Sequence, residues 1–345
     1  DKDFSNSSRV DMPNFGNKFS VEARQLIWKG GVVKNAVEIQ NLKKDLSQLN
    51  YESNELNIKL LSAGYYLDLF KLYNQEKVYH KNIELAQERL DNINRFYKQG
   101  MVTRNDVIRG ELQLSNLKLA LQVVQNNQSI LNKQLTVALG LDEGVKIIPD
   151  ESIVTESLEI LPLASYYGDL VNHPTIKQTE KAVDIYAVSE KISRSDMMPS
   201  LSAFAGNTLQ RPITTSNPAM DMYTNGWSAG LSLNFNIDAL FKAPKKIQLN
   251  RLEKEKAIRQ SNEVSEMMKV AVNAAYIKYN EALTQNNTLK VNKDLTAENY
   301  RIMESKYNNQ LAILLDLIDA SNAKLDAELQ FANSEINIVF AYYKL

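Results

Sequence analysis

The chain has 345 residues, of which 44% are hydrophobic and 23% charged, a composition that excludes a disordered chain. Its 40 basic and 41 acidic residues nearly cancel, which argues against a nucleic-acid-binding protein because such proteins carry a basic surplus. There is no cysteine, and His80 and His173 are the only histidines. We therefore predict no disulfide, no metal site, no cofactor and no catalytic residue, and hence no enzyme.

The first predicted element is a strand over 19–28. Apolar and polar side chains alternate there, which is typical of a strand with one apolar and one polar face. The apolar positions are Phe19, Val21, Ala23 and Ile27. No stretch of the sequence approaches the roughly 18 consecutive apolar residues of a transmembrane helix, so we predict none.

Long helices are predicted where proline and glycine are scarce, because both residues interrupt helices. No proline occurs between Pro13 and Pro149, and we predict helices over 32–98 and 102–139. The second helix carries an apolar seam at steps of four and three, the repeat of coiled-coil packing. The seam runs through Val107, Leu114, Leu117, Leu121, Val124, Leu131, Leu135 and Ala138. Periodicity alone does not distinguish the wall of a solvated tunnel from an ordinary antiparallel coiled coil.

The middle of the chain is punctuated by turn residues. Gly140 is predicted to end the second helix, and a shorter helix over 163–197 is interrupted at Pro174. Strand character follows at 200–206. Residues 207–225 are rich in Asn, Thr, Ser and Pro and are predicted as a surface loop.

The segment 227–238 has the strictest alternation in the chain. Apolar residues at 227, 229, 231, 233, 235 and 237 alternate with polar or small residues between them, which predicts a strand with two unlike faces. About 10–12 residues suit a tilted strand that crosses a bilayer. The alternative is a strand of a soluble sandwich, which two such strands, each followed by a very long helix, make the weaker interpretation.

Two more long helices are predicted at the end of the chain. Neither proline nor glycine occurs from Lys245 to Leu345, and we predict helices over 244–308 and 311–345. The last helix carries a second seam of the coiled-coil type. That seam runs through Leu315, Ile318, Asn322, Leu325, Leu329, Ala332, Ile336, Val339 and Tyr343.

The chain aligns with itself at a constant offset of 210 residues, which pairs Tyr97 with Tyr307 and Asp106 with Asp316. Each repeat is predicted to contain a strand, a long helix, a tight turn and a second helix. The second repeat has about 65 residues before its strand and the first only about 18. Either the first repeat has lost a leading helix and strand, or the sequence is shortened at its N-terminus, and we expect the second.

Four stretches together resemble the TolC-like outer membrane efflux proteins. They are YKQGMVTRNDVI at 97–108, YNNQLAILLDLIDA at 307–320, LTVALG at 135–140, and the segment from His173-Pro174 through Met198-Pro199. The first two resemble the family's two helix–turn–helix tips, the third the end of its first helical hairpin, and the fourth the helix that leads into its second β-hairpin. Their order and spacing cover nearly the whole chain.

The resemblance implies a mainly α-helical fold with membrane β-barrel strands. Long antiparallel coiled-coil helices of a homotrimer would form an α-barrel tunnel, capped by a 12-stranded β-barrel to which each protomer gives four strands. In this interpretation the chain divides into five segments. Residues 1–28 are the strand and loop of the first repeat, 29–140 its helical hairpin, 141–198 an equatorial segment with the helix that follows, 199–238 a β-hairpin, and 239–345 the second helical hairpin.

The same resemblance implies a function and partners. The protein is expected in the outer membrane of Gram-negative bacteria with a periplasmic extension, in contact with outer membrane lipid. It would export small molecules such as drugs, toxic compounds or metal ions, together with a periplasmic adaptor (membrane fusion) protein and an inner-membrane transporter. Two alternatives stay open: an exit duct for type I protein secretion, and a soluble coiled-coil scaffold that forms no channel.

The two hairpin tips carry the candidate site residues. Asp316 and Asp319 match acidic positions that narrow the family's aperture, and as an i, i+3 pair they can face one direction. Tyr307 and Asp106 match a pair that holds the family's tip closed, whereas Ala312 stands where the family has an arginine. Gln310 replaces the expected glycine in the second tip, so we predict a costlier or different turn there. Adaptor contacts are expected at Gly100, Val102, Thr103, Leu311, Ala312 and Ile313.

Overall fold

The structure is a computed structural model that describes residues 13–142, 144–150, 152, 159–213, 215, 216 and 219–345. Within these residues, no helix is both long and apolar enough to cross a membrane. Parts of three predicted segments lie outside the described residues: 1–12 of the first segment, positions 143, 151 and 153–158 of the equatorial segment, and positions 214, 217 and 218 of the predicted surface loop.

The described elements comprise three strands, six α-helices and one 3-10 turn. In chain order they are β1 (Asn17–Trp28), α1 (Val32–Lys98), α2 (Arg104–Ala138), α3 (Leu163–Asp169), the 3-10 turn Leu170–Asn172, α4 (Pro174–Ser195), β2 (Ser200–Arg211), β3 (Thr224–Asn234), α5 (Ala239–Asn308) and α6 (Leu314–Lys344). The four long helices are confirmed, with ends within a few residues of the predicted ones except at the start of α5. That helix begins at Ala239 and contains Pro244, so the proline does not mark its start.

The repeat is confirmed most closely at the helix ends. α1 ends at Lys98 and α5 at Asn308, while α2 begins at Arg104 and α6 at Leu314, and both pairs keep the offset of 210 residues. The strands do not keep it, because β1 ends at Trp28 and β3 already at Asn234. The repeat is therefore strictest where each helical hairpin reverses.

The strands form an antiparallel sheet in the order β1-β2-β3. Two predicted strand boundaries are wrong. The predicted strand over 227–238 ends earlier because the side chain of Asn236 accepts a hydrogen bond from the backbone N–H of Asp238 at 3.2 Å, which turns the chain into α5. The predicted loop over 207–225 is shorter, because β2 continues to Arg211 through pairing with β1 and with β3. The polar residues at 207–211 therefore belong to a paired strand and not to a loop.

A bulge near the end of β1 changes one predicted face. The pairing shifts between Leu26 and Trp28, so that Trp28 lies opposite Leu201. Ile27, predicted on the apolar face, falls in the bulge, and Trp28 takes its place beside the apolar residues of β2.

The chain divides into two compact units, Asp1–Asn50 with Thr175–Val264, and Tyr51–Pro174 with Ser265–Leu345. The first contains the sheet, most of α4 and the adjoining parts of α1 and α5. There α4 packs through small residues: Ser193 and Ser195 are buried, the Asn250 amide donates to Ser193 Oγ at 2.6 Å, and Ser195 Oγ donates to the carbonyl of Gly30.

The second unit contains the rest of the two helical hairpins, including both tips, and three clusters of buried side chains. One lies beside the tips and comprises Ile93, Val107, Tyr300, Tyr307, Leu314 and Leu317. The others are formed by Ala86, Leu90, Leu114 and Leu117, and by Leu67, Phe70, Ile336 and Val339. The predicted α2 seam is confirmed, since its members are buried or half-buried.

The predicted α6 seam is only partly correct. Ile336 and Val339 are buried, but Leu315 is exposed, and the buried residues near the start of α6 are Leu314, Leu317 and Ala320. The predicted positions there line an open groove of 390 Å³ together with residues of α2. Near its start the α6 helix therefore has two apolar stripes, and the sequence pattern marked the one that stays open there in the single chain.

Candidate gate at the two hairpin tips

The first tip joins α1 to α2 through a left-handed residue and a complete helix cap. Gly100 has a φ of 75°, and two N–H groups close the helix: Gly100 N donates to Tyr97 O at 3.0 Å and Met101 N to Phe96 O at 2.9 Å. This pair of bonds is the Schellman motif. Thr103 then caps α2, because its Oγ1 accepts from Asp106 N at 3.4 Å while Asp106 Oδ2 accepts from Thr103 N at 2.8 Å.

The second tip has the same backbone geometry with different side chains. Gln310 has a φ of 61°, its N–H donates to Tyr307 O at 2.9 Å, and Leu311 N donates to Lys306 O at 2.8 Å. The second turn is therefore the same Schellman motif. Of the two predicted alternatives, a different turn is wrong, and the costlier turn is the one observed, because a residue with a Cβ occupies the left-handed position. Ile313 takes the place of Thr103 and has no side-chain acceptor, so only the bond from its N–H to Asp316 Oδ2 remains, at 3.3 Å.

A cavity of 260 Å³ lies between the tips. It is lined by Phe96, Met101, Val102, Thr103, Asp106, Tyr307, Gln310, Ala312, Ile313 and Leu314. The structure thus brings together two of the predicted gate residues and four of the six predicted adaptor contacts. Gly100 lies on the exposed turn, and the Leu311 side chain is 77% exposed.

Tyr307 and Asp106 share this cavity without bonding to each other. Tyr307 is 8% exposed, and among the described residues its hydroxyl has no hydrogen-bond partner. The Asp106 carboxylate instead accepts from the backbone and the hydroxyl of Thr103, at 2.8 and 2.7 Å. Burial raises the pKa of Tyr307, and the negative charge of Asp106 raises it further. The predicted link between these residues is not formed in this conformation of the single chain.

Asp316 and Asp319 are both exposed, on the side of α6 that also exposes Leu315. Asp316 caps the helix, and Asp319 lies one turn further on. Their spacing allows both to face one direction, as predicted, and their role in an aperture stays a prediction because it depends on other copies of the chain.

Sequence reasoning missed a buried cation behind the tips. Arg89 is 8% exposed and donates to Gln113 Oε1 at 2.9 Å, Tyr300 Oη at 2.9 Å and Ser321 Oγ at 3.2 Å. Tyr300 in turn donates to Glu304 Oε1 at 2.8 Å. The network joins all four long helices. Its burial could have been predicted from its position, since Arg89 lies at helical spacing between the buried residues Ala86 and Ile93.

Comparison with known proteins decides the family. A family model described as "outer membrane efflux protein" matches residues 166–344, which is more than half of the sequence. The chain belongs to the outer membrane efflux protein family. A search of curated proteins finds no match.

Solved structures agree with this membership. The chain of this outer membrane efflux protein resembles the outer-membrane channel OprN with a TM-score of 0.79 at 14% identity, covering 96% of this chain and 80% of OprN. It resembles VceC of Vibrio cholerae with a TM-score of 0.78 at 13% identity, over 96% and 86% of the two chains. It resembles the CmeC outer membrane channel of Campylobacter jejuni with a TM-score of 0.74 at 14% identity, covering 96% of this chain and 78% of CmeC. At such identities these likenesses establish the fold, mainly helical with a small sheet.

Proposed function

We propose that this outer membrane efflux protein is a trimeric channel that exports small molecules from Gram-negative bacteria, with a periplasmic adaptor and an inner-membrane transporter. The observation that carries the proposal is the sheet. One face is mostly apolar on all three strands, with Gln25 and Asn207 as polar members among its alanine, valine, leucine and aromatic residues. It is exposed to solvent in the single chain, with Trp227 83% exposed. An exposed apolar face of this size favours contact with lipid over a soluble scaffold.

The strand pairing defines this apolar face. Val21 lies opposite Asn207 and Asn207 opposite Trp227, while Ala23 lies opposite Ala205 and Ala205 opposite Ala229. Aromatic side chains lie near both ends, with Phe19 and Trp227 at one and Trp28 at the other. Phe19 to Trp28 spans about 30 Å along the strand, and a tilt of about 35–45° reduces this to about 21–25 Å, close to the height of the apolar band of outer-membrane barrels.

Closure of the sheet requires other copies of the chain. Within the described residues β1 and β3 each have one unpaired edge, and they run in the same direction because both are antiparallel to β2. In lipid, every backbone polar group must be paired. Three such sheets joined by rotation would bring β3 against a neighbouring β1 in parallel. An all-antiparallel barrel therefore needs one more strand in each protomer, which gives the proposed 12 strands.

The helical hairpins would form the tunnel of the same trimer. The open groove between α2 and α6 exposes Leu112 and Leu315 beside Ile318 and Leu325, so a helix of a neighbouring protomer could bury these side chains. In this proposal residues 1–28 and 199–238 belong to the barrel, 29–140 and 239–345 to the tunnel, and 141–198 to an equatorial belt.

The tips would form the gate and the adaptor site. Threefold symmetry would bring Asp316 and Asp319 of all protomers toward one axis, and like charges at close range would attract cations and oppose narrowing. The cavity between the tips has both apolar and polar walls. Among the described residues the Tyr307 hydroxyl has no partner, which suits a partner's side chain that carries a hydrogen-bonding group. Leu311 and Ile313 project beside it and are exposed.

The apolar face can be tested by placing a charge on either side of β3. Leu231→Arg puts a guanidinium on the apolar face, where a mid-membrane cation costs about 2–4 kcal/mol, whereas the matched control Ser232→Arg puts it on the polar face. We expect a trimer by light scattering in detergent for the parent and for Ser232→Arg, and loss of membrane-inserted trimer for Leu231→Arg. A stable detergent-free monomer of the parent would refute the channel.

The gate can be tested by single-channel recording. The double variant Asp316→Asn, Asp319→Asn removes both side-chain charges, so we expect cation block of the current to disappear. If the double variant is blocked like the parent, the carboxylates face away from the aperture, and their assignment to the gate is wrong while the channel itself stands.

A further inference from the structure

The polar face of the sheet carries its charges on one strand. In the described parts of β2 and β3 this face consists of Ser, Thr, Gly, Asn, Gln and one Phe, whereas β1 contributes Lys18, Glu22 and Arg24. These three side chains share one face because they are separated by even numbers of residues. The strand β1, at one edge of the sheet, is therefore the charged wall of its polar side.

Arg24 and Glu22 are the two charged side chains near the middle of this face. Arg24 is 64% exposed and lies 3.1 Å from the carboxylate of Glu22, which is 55% exposed. On β2 it lies opposite Phe204, and Phe204 lies opposite Gly230. A Cβ added to Gly230 would lie 3.1 Å from Phe204 Cζ, so the ring rests on the backbone of β3. In this row, Arg24 is the polar group presented to solvent.

A polar cavity continues the same face where β3 leads into α5. It has a volume of 390 Å³ and is lined by Lys29, Lys242, Lys246, Asp196 and Asp238, among others. Ser200 and Asn234 of the polar face also line it, so it opens on that side. Lys246 pairs with Asp196 at 2.7 Å and Lys242 with Asp238 at 2.5 Å. The cavity thus holds one more lysine than it holds carboxylates.

We infer that the barrel lumen prefers anions, and that the exported small molecules include those with carboxylate, sulfonate or phosphate groups. The inference rests on the proposed function, because it takes the polar face as the lumen wall. Face and cavity together carry five basic and three acidic side chains in each chain. The Debye length is about 10 Å at 0.1 M salt, and within about 8 Å one unit charge in water changes the local concentration of an ion about twofold.

The test is the reversal potential of single channels in planar bilayers under a KCl gradient at low salt. The double variant Asp316→Asn, Asp319→Asn serves as background, so that tip carboxylates do not oppose the barrel. We expect chloride to be more permeant than potassium. Arg24→Gln should lower the permeability ratio about twofold and Arg24→Glu about fourfold, whereas the matched control Arg24→Lys should retain it.

A variant that should raise the preference for chloride distinguishes a change in selectivity from damage to the channel. Glu22→Gln removes the neighbouring negative charge and should raise the preference for chloride about twofold, a gain that damage to the channel would not produce. Channels of normal conductance whose selectivity is changed neither by Arg24→Glu nor by Glu22→Gln would overturn this inference alone. Absence of any channel from the parent protein would overturn the proposed function first, and this inference with it.

Discussion

The two hairpin tips reach one backbone geometry from different sequences. Gly100 and Gln310 both take the left-handed conformation, but Thr103 completes a capping box at the first tip and Ile313 cannot at the second. A residue with a Cβ in this conformation is strained by about 1 kcal/mol or more. The first tip is therefore built from residues that favour its turn, and the second holds the same turn against local preference.

The tips also bury opposite sides of the helix that enters them. In the first, Phe96 lines the cavity and Tyr97 is exposed, whereas in the second Tyr307 is buried and Lys306 is exposed. The repeat aligns Phe96 with Lys306 and Tyr97 with Tyr307, so equivalent positions have exchanged their surroundings. Strain and exposed apolar side chains at the second tip are features of a segment that binds a partner or changes conformation.

The largest difference in stability between the two tips is expected when the capping carboxylate of each is removed. Asp106→Ala deletes an acceptor that takes two short hydrogen bonds from Thr103, and should destabilise the first tip by about 1–2 kcal/mol. Asp316→Ala deletes the acceptor of one longer bond and should cost about 0.5 kcal/mol. Amide hydrogen exchange of the two turns measures both, with protection at residues 99–106 falling about tenfold and at residues 309–316 less than about threefold. Equal losses at both tips would contradict the contrast.

The turn residues give the next largest effect. Nothing lies within 4 Å of a Cβ added to Gly100, so Gly100→Ala should cost about 1 kcal/mol through backbone strain alone. Gln310→Gly relieves the same strain but adds freedom to the unfolded chain, so its gain should be smaller, about 0.5 kcal/mol. Amide exchange should slow at the second tip and quicken at the first. A destabilising Gln310→Gly would mean that the glutamine side chain supports the turn.

Much of the fold could be predicted from the sequence because it depends on local pattern. Alternation located β1, and the absence of proline located α1. The errors arose where residues distant in sequence determine the local structure. Pairing with β1 makes the polar start of the predicted loop part of β2. Packing against neighbouring helices buries Leu314 and leaves Leu315 exposed. Thr103 and Asp106 could be placed at the tip, but local sequence does not reveal that Thr103 occupies the carboxylate predicted to bind Tyr307.

A smaller effect is expected from giving the second tip the cap of the first. Ile313→Thr introduces a hydroxyl that can accept from Asp316 N, as Thr103 accepts from Asp106 N, and should stabilise the second tip by about 0.5–1 kcal/mol. Thr103→Ile is the matched reverse change at the first tip. Exchange protection should move in opposite directions in the two variants. Ile313 is exposed, so replacing it should remove little apolar contact. Unchanged protection in Ile313→Thr would show that the lost apolar contact cancels the gain from the new cap.

The smallest stability change is expected from Tyr307→Phe, which removes a buried hydroxyl without a described partner. Such a deletion leaves no hydrogen bond broken, so the unfolding transition at neutral pH should shift little. The matched control is Tyr300→Phe, which loses the bonds to Arg89 and Glu304 and should cost about 1–3 kcal/mol. If instead the Tyr307–Asp106 link forms in the assembled trimer, Tyr307→Phe should raise the resting conductance in bilayers while cation block is retained.

The effect of Tyr307→Phe on stability should depend on pH in the alkaline range. Burial, and then Asp106, raise the pKa of Tyr307, so the folded state holds this proton more tightly than the unfolded state, whose tyrosine pKa is about 10. The contribution of Tyr307 to stability is then fully present below about pH 10 and is lost as the pH rises through the folded pKa. Since burial also raises the pKa of Tyr79, Tyr279 and Tyr300, the quantity to measure is the difference between parent and Tyr307→Phe. That difference should appear above about pH 10, and a hydroxyl that ionises at the ordinary tyrosine pKa would show that the cavity between the tips is open to water around Tyr307.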